Sequence, residues 1–373
     1  MGAPFAYGRH ARTGRIRLMI VDDSIVARSV FNTILAPLPD FRIAATASTA
    51  EQALAELDRT TVDIVLLDVA MPGRDGLSAL PEIIRRGRGA RVLIVSASAG
   101  EGAEACVRAM TLGAADTLEK PSAGNFTAAF RSNLVDKLRR IGRESTAPAD
   151  NPFEASEPLV VEEPEPVLRP AVQGPIDCLA IGASTGGLHA LSALFGALPS
   201  SFAAPILITQ HLPASFMPYF AAQIADIAGR PAQVARDGSP LVRGHILVAP
   251  GDAHLGLRAM PGGARVALER EAAESGCLPS ADPMFCGLSA AFGARGFAVI
   301  LSGMGRDGAV GAAAVAASGG EVAAQDRGSA VVWGMPGAAA RAGLASIVAP
   351  PDRIAQRIAE RVAAARGAKA AWK

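Results

Sequence analysis

The sequence predicts an α/β protein made of two doubly wound domains, each with a parallel sheet. Short apolar runs alternate with helix-like stretches in the first half of the chain, for example at residues 64–67 and 92–95. The second half repeats this pattern, with apolar runs at 178–181 and 297–301. Strands separated by helices are typical of βαβ units on a parallel sheet. The length of 373 residues is sufficient for two such domains.

A change of composition divides the chain near its middle. Residues 145–152 are rich in proline and small polar residues, and residues 154–170 are rich in proline and glutamate without any apolar period. Such a segment buries too little apolar surface to offset the entropy lost on ordering. We therefore expect a first domain at residues 15–140, an extended linker at 141–173 and a second domain at 174–373.

Charge and cysteine content limit the classes of function. The 36 basic and 35 acidic residues nearly cancel, which argues against a nucleic-acid partner. The four cysteines are scattered without CxxC spacing, which argues against a zinc site or a disulfide framework and favours a reducing, cytoplasmic location. No apolar run reaches the roughly 18–20 residues of a membrane span, and residues 1–17 lack the apolar segment of a signal peptide, so we predict no direct membrane insertion.

Polar side chains follow the predicted strands of the first half. Asp22 and Asp23 come directly after one strand, and Asp68, Ser96 and Lys120 end three others. Because the carboxyl ends of parallel strands line one crevice, these side chains are expected to meet there. Carboxylates suit Mg²⁺, and a lysine suits a phosphoryl oxygen. Any one strand-end aspartate is more often a loop or helix-cap residue, but the five positions together predict a site for Mg²⁺ and a phosphoryl group.

These residues make the first half similar to a response-regulator receiver domain. The resemblance covers roughly residues 17–140 and rests on segments 21–24, 67–76 and 120–121 together with Ser96. It implies a flavodoxin-like domain in which Asp68 is phosphorylated by a histidine kinase. It also implies that Asp22, Asp23 and Asp68 hold Mg²⁺ and that Ser96 and Lys120 contact the phosphate. Thr117 departs from the family, which often has an aromatic switch residue three positions before the lysine.

Ser184, His211 and Asp307 follow three strand-like runs of the second half. Ser184 stands between an apolar run and a glycine pair, where a strand-to-helix turn would expose its hydroxyl beside unpaired backbone N–H groups. Each residue alone also has a structural interpretation, as a helix cap, a core histidine or a turn aspartate. At equivalent positions of βα units, however, the three can serve as nucleophile, base and orienting acid.

Other residues compete for these roles. His189 lies only five residues after Ser184 and is expected in the first turn of the next helix, directed away from the sheet edge. His254 is a candidate for lining the cleft. Asp252 and Asp282 are alternatives to Asp307, although neither directly follows an apolar strand.

A second function remains open for this half. Residues 303–308 match the GxGxxG pattern between a strand and an alanine-rich helix, and Asp326 lies near the spacing of a ribose-binding acid. The alternative is therefore a non-catalytic or dinucleotide-binding signalling module. Against it, the match falls late in its domain, Asp307 would place a negative charge near the pyrophosphate, and Ser184 and His211 would have no role.

The second half resembles the chemotaxis protein-glutamate methylesterases. The resemblance covers roughly residues 175–365 and rests on segments 181–187, 209–213, 249–251, 279–282, 303–308 and 332–336. It implies a Rossmann-like hydrolase domain that demethylates glutamate methyl esters and deamidates certain glutamines on methyl-accepting chemoreceptors, with no cofactor for the ester chemistry. The backbone N–H of Thr185 and, by resemblance, that of Met304 are the expected oxyanion donors. With a flexible linker, the simplest control is a receiver that covers the cleft until Asp68 is phosphorylated.

Overall fold

The computed structural model describes residues 14–97, 101–120, 127–143 and 166–370. The chain forms two compact units, Met1–Pro164 and Glu165–Lys373, and each is described by itself. Most of the predicted linker, residues 144–165, lies outside the described residues.

The first unit is a parallel five-stranded sheet with the strand order β2-β1-β3-β4-β5. This is the order of flavodoxin-like doubly wound folds, and it confirms the predicted fold class. Each described strand is followed by a helix. The strands are β1 (Ile16–Val21), β2 (Phe41–Ala47), β3 (Ile64–Asp68), β4 (Arg91–Ala97) and β5 (Asp116–Lys120), and the helices are α1 (Ile25–Leu35), α2 (Ala50–Leu57), α3 (Gly76–Arg86), α4 (Glu101–Thr111) and α5 (Ala128–Arg143).

The second unit is built on a parallel seven-stranded sheet, as predicted, with the order β14-β13-β12-β6-β7-β9-β8. The sheet strands are β6 (Cys178–Ala183), β7 (Ile206–Gln210), β8 (Ala232–Val234), β9 (Ile246–Val248), β12 (Gly296–Ile300), β13 (Glu321–Gln325) and β14 (Ile347–Ala349). The helices are α6 (Gly187–Ala197), α7 (Met217–Ala228), α8 (Ala281–Phe292), α9 (Ala309–Ala317), α10 (Met335–Arg341) and α11 (Pro351–Ala370). A separate antiparallel hairpin, which sequence reasoning did not foresee, is formed by β10 (His254–Met260) and β11 (Gly263–Glu269).

The central strands of the second sheet are apolar because helices cover them. Ala180 of β6 and Ala298 of β12 belong to a buried cluster that also contains Phe285 of α8 and Val315 of α9. Strands of a parallel sheet that are covered on both faces read as continuous apolar runs. This packing sets β12, β6 and β7 side by side, so their carboxyl ends lie at the same edge.

In the described part of the chain, no helix is both long and apolar enough to cross a membrane.

Both described ends of the predicted linker belong to the folded units, so the expected boundaries at 141 and 173 differ from the observed ones. Helix α5 continues to Arg143, and Ile141 in its last turn is fully buried. On the other side, the Arg169 N–H donates to the Ala345 carbonyl at 2.9 Å, and its guanidinium donates to the Ala316 carbonyl at 3.1 Å. Composition did not reveal these contacts because each of them depends on residues distant in sequence.

Helix α11 is fixed to the sheet by a buried ionic group. Arg361 is 0 % exposed, and its Nη1 donates to Oε2 of Glu321, at the start of β13, at 3.0 Å. Its other donors bond the carbonyls of Gly174 and Ala294, and Arg357 donates to the remaining Glu321 oxygen at 2.8 Å. A buried ion pair is tolerated only when such additional hydrogen bonds satisfy the charges.

We expect the substitution Arg361→Met to destabilise the second unit by about 3 kcal/mol, because it leaves carbonyl groups unsatisfied and removes part of the counter-charge of Glu321. Urea denaturation followed by Trp333 fluorescence measures the free energy of unfolding. Arg353→Ala, at an exposed position of the same helix, is the matched control and should change it by less than about 0.5 kcal/mol. A loss below about 1 kcal/mol for Arg361→Met would contradict this account.

Candidate active site

Three strand ends bring the predicted triad to one edge of the second sheet. Ser184 directly follows β6, His211 directly follows β7, and Asp307 lies in the turn between β12 and α9. The Ser184 N–H donates to the Ser302 carbonyl at 2.9 Å, and the His211 N–H donates to the Ala183 carbonyl at 3.1 Å. The sheet pairing thus continues past the strands and fixes the backbone at Ser184 and His211.

The turn that carries Ser184 depends on close backbone packing. Gly186 has a φ of +76° and precedes α6, a conformation that residues with a Cβ rarely adopt. At Gly303, an added Cβ would lie 2.8 Å from the Ser184 Cβ, so only glycine fits there. Gln210 Nε2 donates to the Ser184 carbonyl at 2.8 Å from the other side. The half-buried serine therefore occupies the strand-turn-helix geometry that the sequence predicts.

A short hydrogen bond joins His211 to Asp307. The distance from His211 Nε2 to Asp307 Oδ2 is 2.8 Å, and the Asp307 side chain is 1 % exposed. Asp307 also accepts from Ser280 Oγ at 2.5 Å and from the Ala281 N–H at 2.7 Å. Burial by itself raises the pKa of Asp307, but its interactions with His211, Ala281 and Ser280 outweigh burial and hold that pKa well below its usual value. Because a carboxylate only accepts, Nε2 is the protonated nitrogen of the neutral ring form, and the lone pair of that form lies on Nδ1.

His254 is buried and contacts the His211–Asp307 pair through Ser280, instead of lining the cleft. The residue is 1 % exposed, and its Nε2 bonds the Glu271 carbonyl at 2.8 Å. Its Nδ1 accepts from the Ser280 N–H at 2.9 Å, and Ser280 in turn bonds Asp307. Sequence reasoning missed the roles of Ser280 and His254, because the loop before α8 brings them together and leaves no periodic signal.

The other competing residues lie elsewhere. His189 is exposed on α6. Asp252 is 61 % exposed and lies 3.9 Å from Arg270. Asp282 is buried beside Asp307 but bonds the Gly311 N–H of α9 at 2.7 Å. Burial and the negative charge of Asp307 raise the pKa of Asp282 to about 6.

The geometry does not favour the dinucleotide-binding alternative. In such sites the pyrophosphate binds the free N–H groups at the start of the helix after the glycine-rich turn. Here α9 begins at Ala309, and the Asp282 carboxylate occupies the Gly311 N–H. Asp326, the candidate ribose ligand, accepts from the Ser329 N–H at 3.2 Å. Two carboxylates, Asp282 and Asp307, therefore stand where a pyrophosphate would need positive groups.

The two predicted oxyanion donors lie beside Ser184. Thr185 is buried in the Ser184 turn, and its carbonyl accepts from Ser302 Oγ at 2.7 Å. Met304 follows Gly303, whose N–H donates to the Val332 carbonyl at 3.0 Å. Within the described residues, no backbone carbonyl accepts from the Met304 N–H.

A cluster of carboxylates and one lysine occupies the corresponding sheet edge of the first unit. Carboxylate oxygens of Asp22, Asp23 and Asp68 all lie within 4.8 Å of one another. Lys120 Nζ lies 2.7 Å from Oδ2 of both Asp22 and Asp68. Burial raises the pKa of Asp68 although Lys120 opposes this. Burial alone would lower the pKa of Lys120, but Asp22 and Asp68 outweigh it and raise that pKa. The oxygen donor set fits Mg²⁺.

Ser96 and Thr117 lie in the neighbouring strands of this unit. Ser96, near the end of β4, is 5 % exposed and pairs with Glu119 of β5. Thr117 is also buried in β5, and its N–H donates to Oδ1 of Asp116 at 2.7 Å. The position at which related receivers often have an aromatic side chain is thus filled by a small buried residue.

One unit carries three carboxylates and a lysine at its sheet edge, and the other carries a serine and a histidine–aspartate pair at the corresponding edge. These features are typical of a response regulator joined to a hydrolase. The chain matches the family models of the response regulator receiver domain at residues 18–130 and of CheB methylesterase at residues 179–358. It belongs to the protein-glutamate methylesterase/protein-glutamine glutaminase family.

Two relatives of similar length support this assignment. The chain is 40% identical to protein-glutamate methylesterase/protein-glutamine glutaminase 1 of Paramagnetospirillum magneticum, over 92% of this chain and 95% of the relative. It is 42% identical to protein-glutamate methylesterase/protein-glutamine glutaminase 2 of Caulobacter vibrioides, over 93% of this chain and 99% of the relative. The crystal structure of the Thermotoga maritima CheB methylesterase catalytic domain is 34% identical, with a TM-score of 0.48 over 50% of this chain and 98% of that one.

We predict that Asp282→Asn changes the pH dependence of stability. The raised pKa of about 6 means that the folded protein retains a proton that the unfolded chain has already released, so the wild type loses stability as the pH rises from about 4 to 6. Asparagine does not ionise. The free energy of unfolding of Asp282→Asn, relative to the wild type, should therefore increase by about 1–2 kcal/mol between pH 4.5 and 7.5.

The measurement is urea denaturation at the two pH values, again followed by Trp333 fluorescence. Asp252→Asn is the matched control, because this carboxylate is exposed and should give a difference that does not vary with pH. A pH-independent difference for Asp282→Asn would show that Asp282 does not retain its proton in the fold.

Proposed function

We propose that Ser184, His211 and Asp307 are the catalytic triad of a hydrolase that acts on glutamate methyl esters and certain glutamines of chemoreceptors. The bond between His211 Nε2 and the buried Asp307 carboxylate, at the edge where Ser184 emerges, is the observation that carries this proposal. His211 Nδ1 accepts the Ser184 proton as the hydroxyl attacks the substrate carbonyl. Asp307 fixes the ring tautomer and stabilises the imidazolium.

The reaction then follows ordinary acyl transfer. The imidazolium returns its proton to the leaving group, which departs as methanol from an ester or as ammonia from an amide. Water hydrolyses the resulting acyl-serine and frees the glutamate carboxylate. Backbone N–H groups of Thr185 and Met304 are the proposed oxyanion donors, each expected to stabilise the transition state by about 3 kcal/mol.

We further propose that Asp68 accepts a phosphoryl group from a histidine kinase. Asp22, Asp23 and Asp68 would hold Mg²⁺, which neutralises charge on the transferring oxygens when bound. Lys120, which already lies between two carboxylates, would contact the phosphoryl oxygens, and Ser96 would bond another of them. The four free thiols Cys106, Cys178, Cys277 and Cys286 support a cytoplasmic location for this chemistry.

Ser184→Ala should lower methanol release from membranes carrying methylated receptors by at least about 1000-fold, because the nucleophile is lost. Ser200→Ala, at an exposed position, is the matched control and should retain wild-type rates. Equal rates in the wild type and Ser184→Ala would remove Ser184 from the mechanism. Labelling by a covalent serine probe reports on Ser184 independently of the receptor.

Phosphorylation should increase the rate of methanol release. The assay compares the protein alone with the protein given Mg²⁺ and a small phosphodonor, and Asp68→Asn should abolish the increase because it lacks the acceptor carboxylate.

If the receiver inhibits the hydrolase, deletion of residues 1–165 should raise the basal rate. The deletion stops before Arg169 because that side chain bonds the second unit. A folded fragment with unchanged or lower activity would reject inhibition by the receiver.

A further inference from the structure

A cysteine stands beside the proposed triad. The Cys277 Sγ, a ring nitrogen of His211 and a carboxylate oxygen of Asp307 all lie within 4.8 Å of one another. Cys277 is half-buried, and His211 is 17 % exposed, so a small ion can reach the group from solvent. The three residues come from separate segments, which is why the cysteine spacing in the sequence indicated no metal site.

The donor set suits a thiophilic divalent cation. Thiolate sulfur, imidazole nitrogen and carboxylate oxygen are the ligands that Zn²⁺ takes in proteins, with bonds of about 2.3 Å to sulfur and about 2.0–2.2 Å to nitrogen or oxygen. Tetrahedral bonds of these lengths place the ligand atoms roughly 3.3–3.6 Å apart. The observed separations lie within 4.8 Å, so small side-chain adjustments complete three of the four positions.

This site differs in chemistry from the carboxylate cluster of the first unit. Asp22, Asp23 and Asp68 offer only oxygen atoms, which suit Mg²⁺. Cys277 adds a soft sulfur ligand, for which Zn²⁺ competes far better than Mg²⁺. The two sites are therefore distinguishable by the choice of cation.

We propose that Cys277, His211 and Asp307 form a Zn²⁺ site whose occupation inhibits the hydrolase. On binding, the thiol loses its proton to solvent, and the thiolate, the imidazole and the carboxylate each donate a lone pair to the cation. Coordination through Nε2 shifts the ring proton to Nδ1 and breaks the hydrogen bond with Asp307, whereas coordination through Nδ1 occupies the lone pair that accepts the Ser184 proton. The inhibition rests on the proposed triad, whereas the metal binding does not.

Two hydrogen bonds join Cys277 to Ser275. The Cys277 Sγ lies 3.9 Å from the Ser275 carbonyl, a weak hydrogen bond, and the Cys277 N–H donates to Ser275 Oγ at 3.3 Å. Both contacts are available to a hydroxyl residue at the same position. Cys277→Ser keeps these hydrogen bonds and removes the soft ligand, and its inhibition by Zn²⁺ is measured relative to its own metal-free rate.

The test uses the full chain with excess Mg²⁺, and two readouts. Co²⁺ is added as a spectroscopic substitute for Zn²⁺, because a thiolate-bound Co²⁺ gives a sulfur-to-metal charge-transfer absorption. Zn²⁺ inhibition of methanol release is measured separately and reversed with EDTA. The variants are Cys277→Ser, the matched control Cys286→Ser on the exposed side of α8, and Asp68→Asn, which alters the other carboxylate cluster.

We expect the wild type, Cys286→Ser and Asp68→Asn to show the charge-transfer band and reversible inhibition, and Cys277→Ser to lose the band and need at least about tenfold more Zn²⁺ for half inhibition. A band without inhibition would support the site and refute its overlap with the triad. An absent wild-type band, or equal Zn²⁺ sensitivity in Cys277→Ser, would overturn the proposal. Absent activity with the band present would instead refute the proposed function.

Discussion

The negative charge buried on Asp307 is the constraint around which the second site is arranged. A carboxylate removed from water is stable only when donors replace its hydration. Here the donors are Ser280 Oγ, the Ala281 N–H and His211 Nε2, which come from the start of α8 and the end of β7. Because Ala281 is the first residue of α8, the positive end of the helix adds to this stabilisation. Orienting His211 and anchoring α8 are consequently one interaction.

A second carboxylate lies beside Asp307, and the two acids differ in their pKa shifts. Asp282 lies next to Asp307 in the same buried region, and their pKa values move in opposite directions. Adjacent acids in one low-dielectric site cannot both ionise freely, so the one whose charge is better stabilised by hydrogen-bond donors keeps it. Asp307 has three donors and remains ionised, whereas Asp282 has the backbone N–H groups of the turn and start of α9 and takes the raised pKa of about 6. Asp282 links α8 to α9, and Asp307 is left as the partner of His211.

A site residue can be predicted from the sequence where a regular feature of the fold positions it, and not where tertiary contacts do. Ser184, His211 and Asp68 were predictable as candidates because they follow apolar strands, and the carboxyl ends of parallel strands share one edge whatever the details of packing. The adjacency of β12 to β6 was not readable from local pattern, since these strands are far apart in the chain. Ser280 and Cys277 lie in a loop before α8 whose path is set by tertiary contacts, so no period or spacing marked them. His254 was expected to line the cleft, and its contact with this loop was not foreseen. The hairpin of β10 and β11 was missed for a similar reason, because its partly exposed strands have no continuous apolar run.

The two sheet edges differ in charge and in the kinds of donor atom they present. In the first unit, three carboxylates face one ammonium group, and Lys120 lies 2.7 Å from two of them, so an excess of negative charge remains. That excess suits a hard cation, and in the proposed phosphorylation Lys120 would contact the incoming phosphoryl group. In the second unit, three hydrogen-bond donors already hold the charge of Asp307, so less of it is available to a hard cation. The other groups there are an imidazole nitrogen and a sulfur atom, which suit proton transfer or a soft metal ion. The balance of charge at each strand edge therefore decides which chemistry the same kind of fold supports.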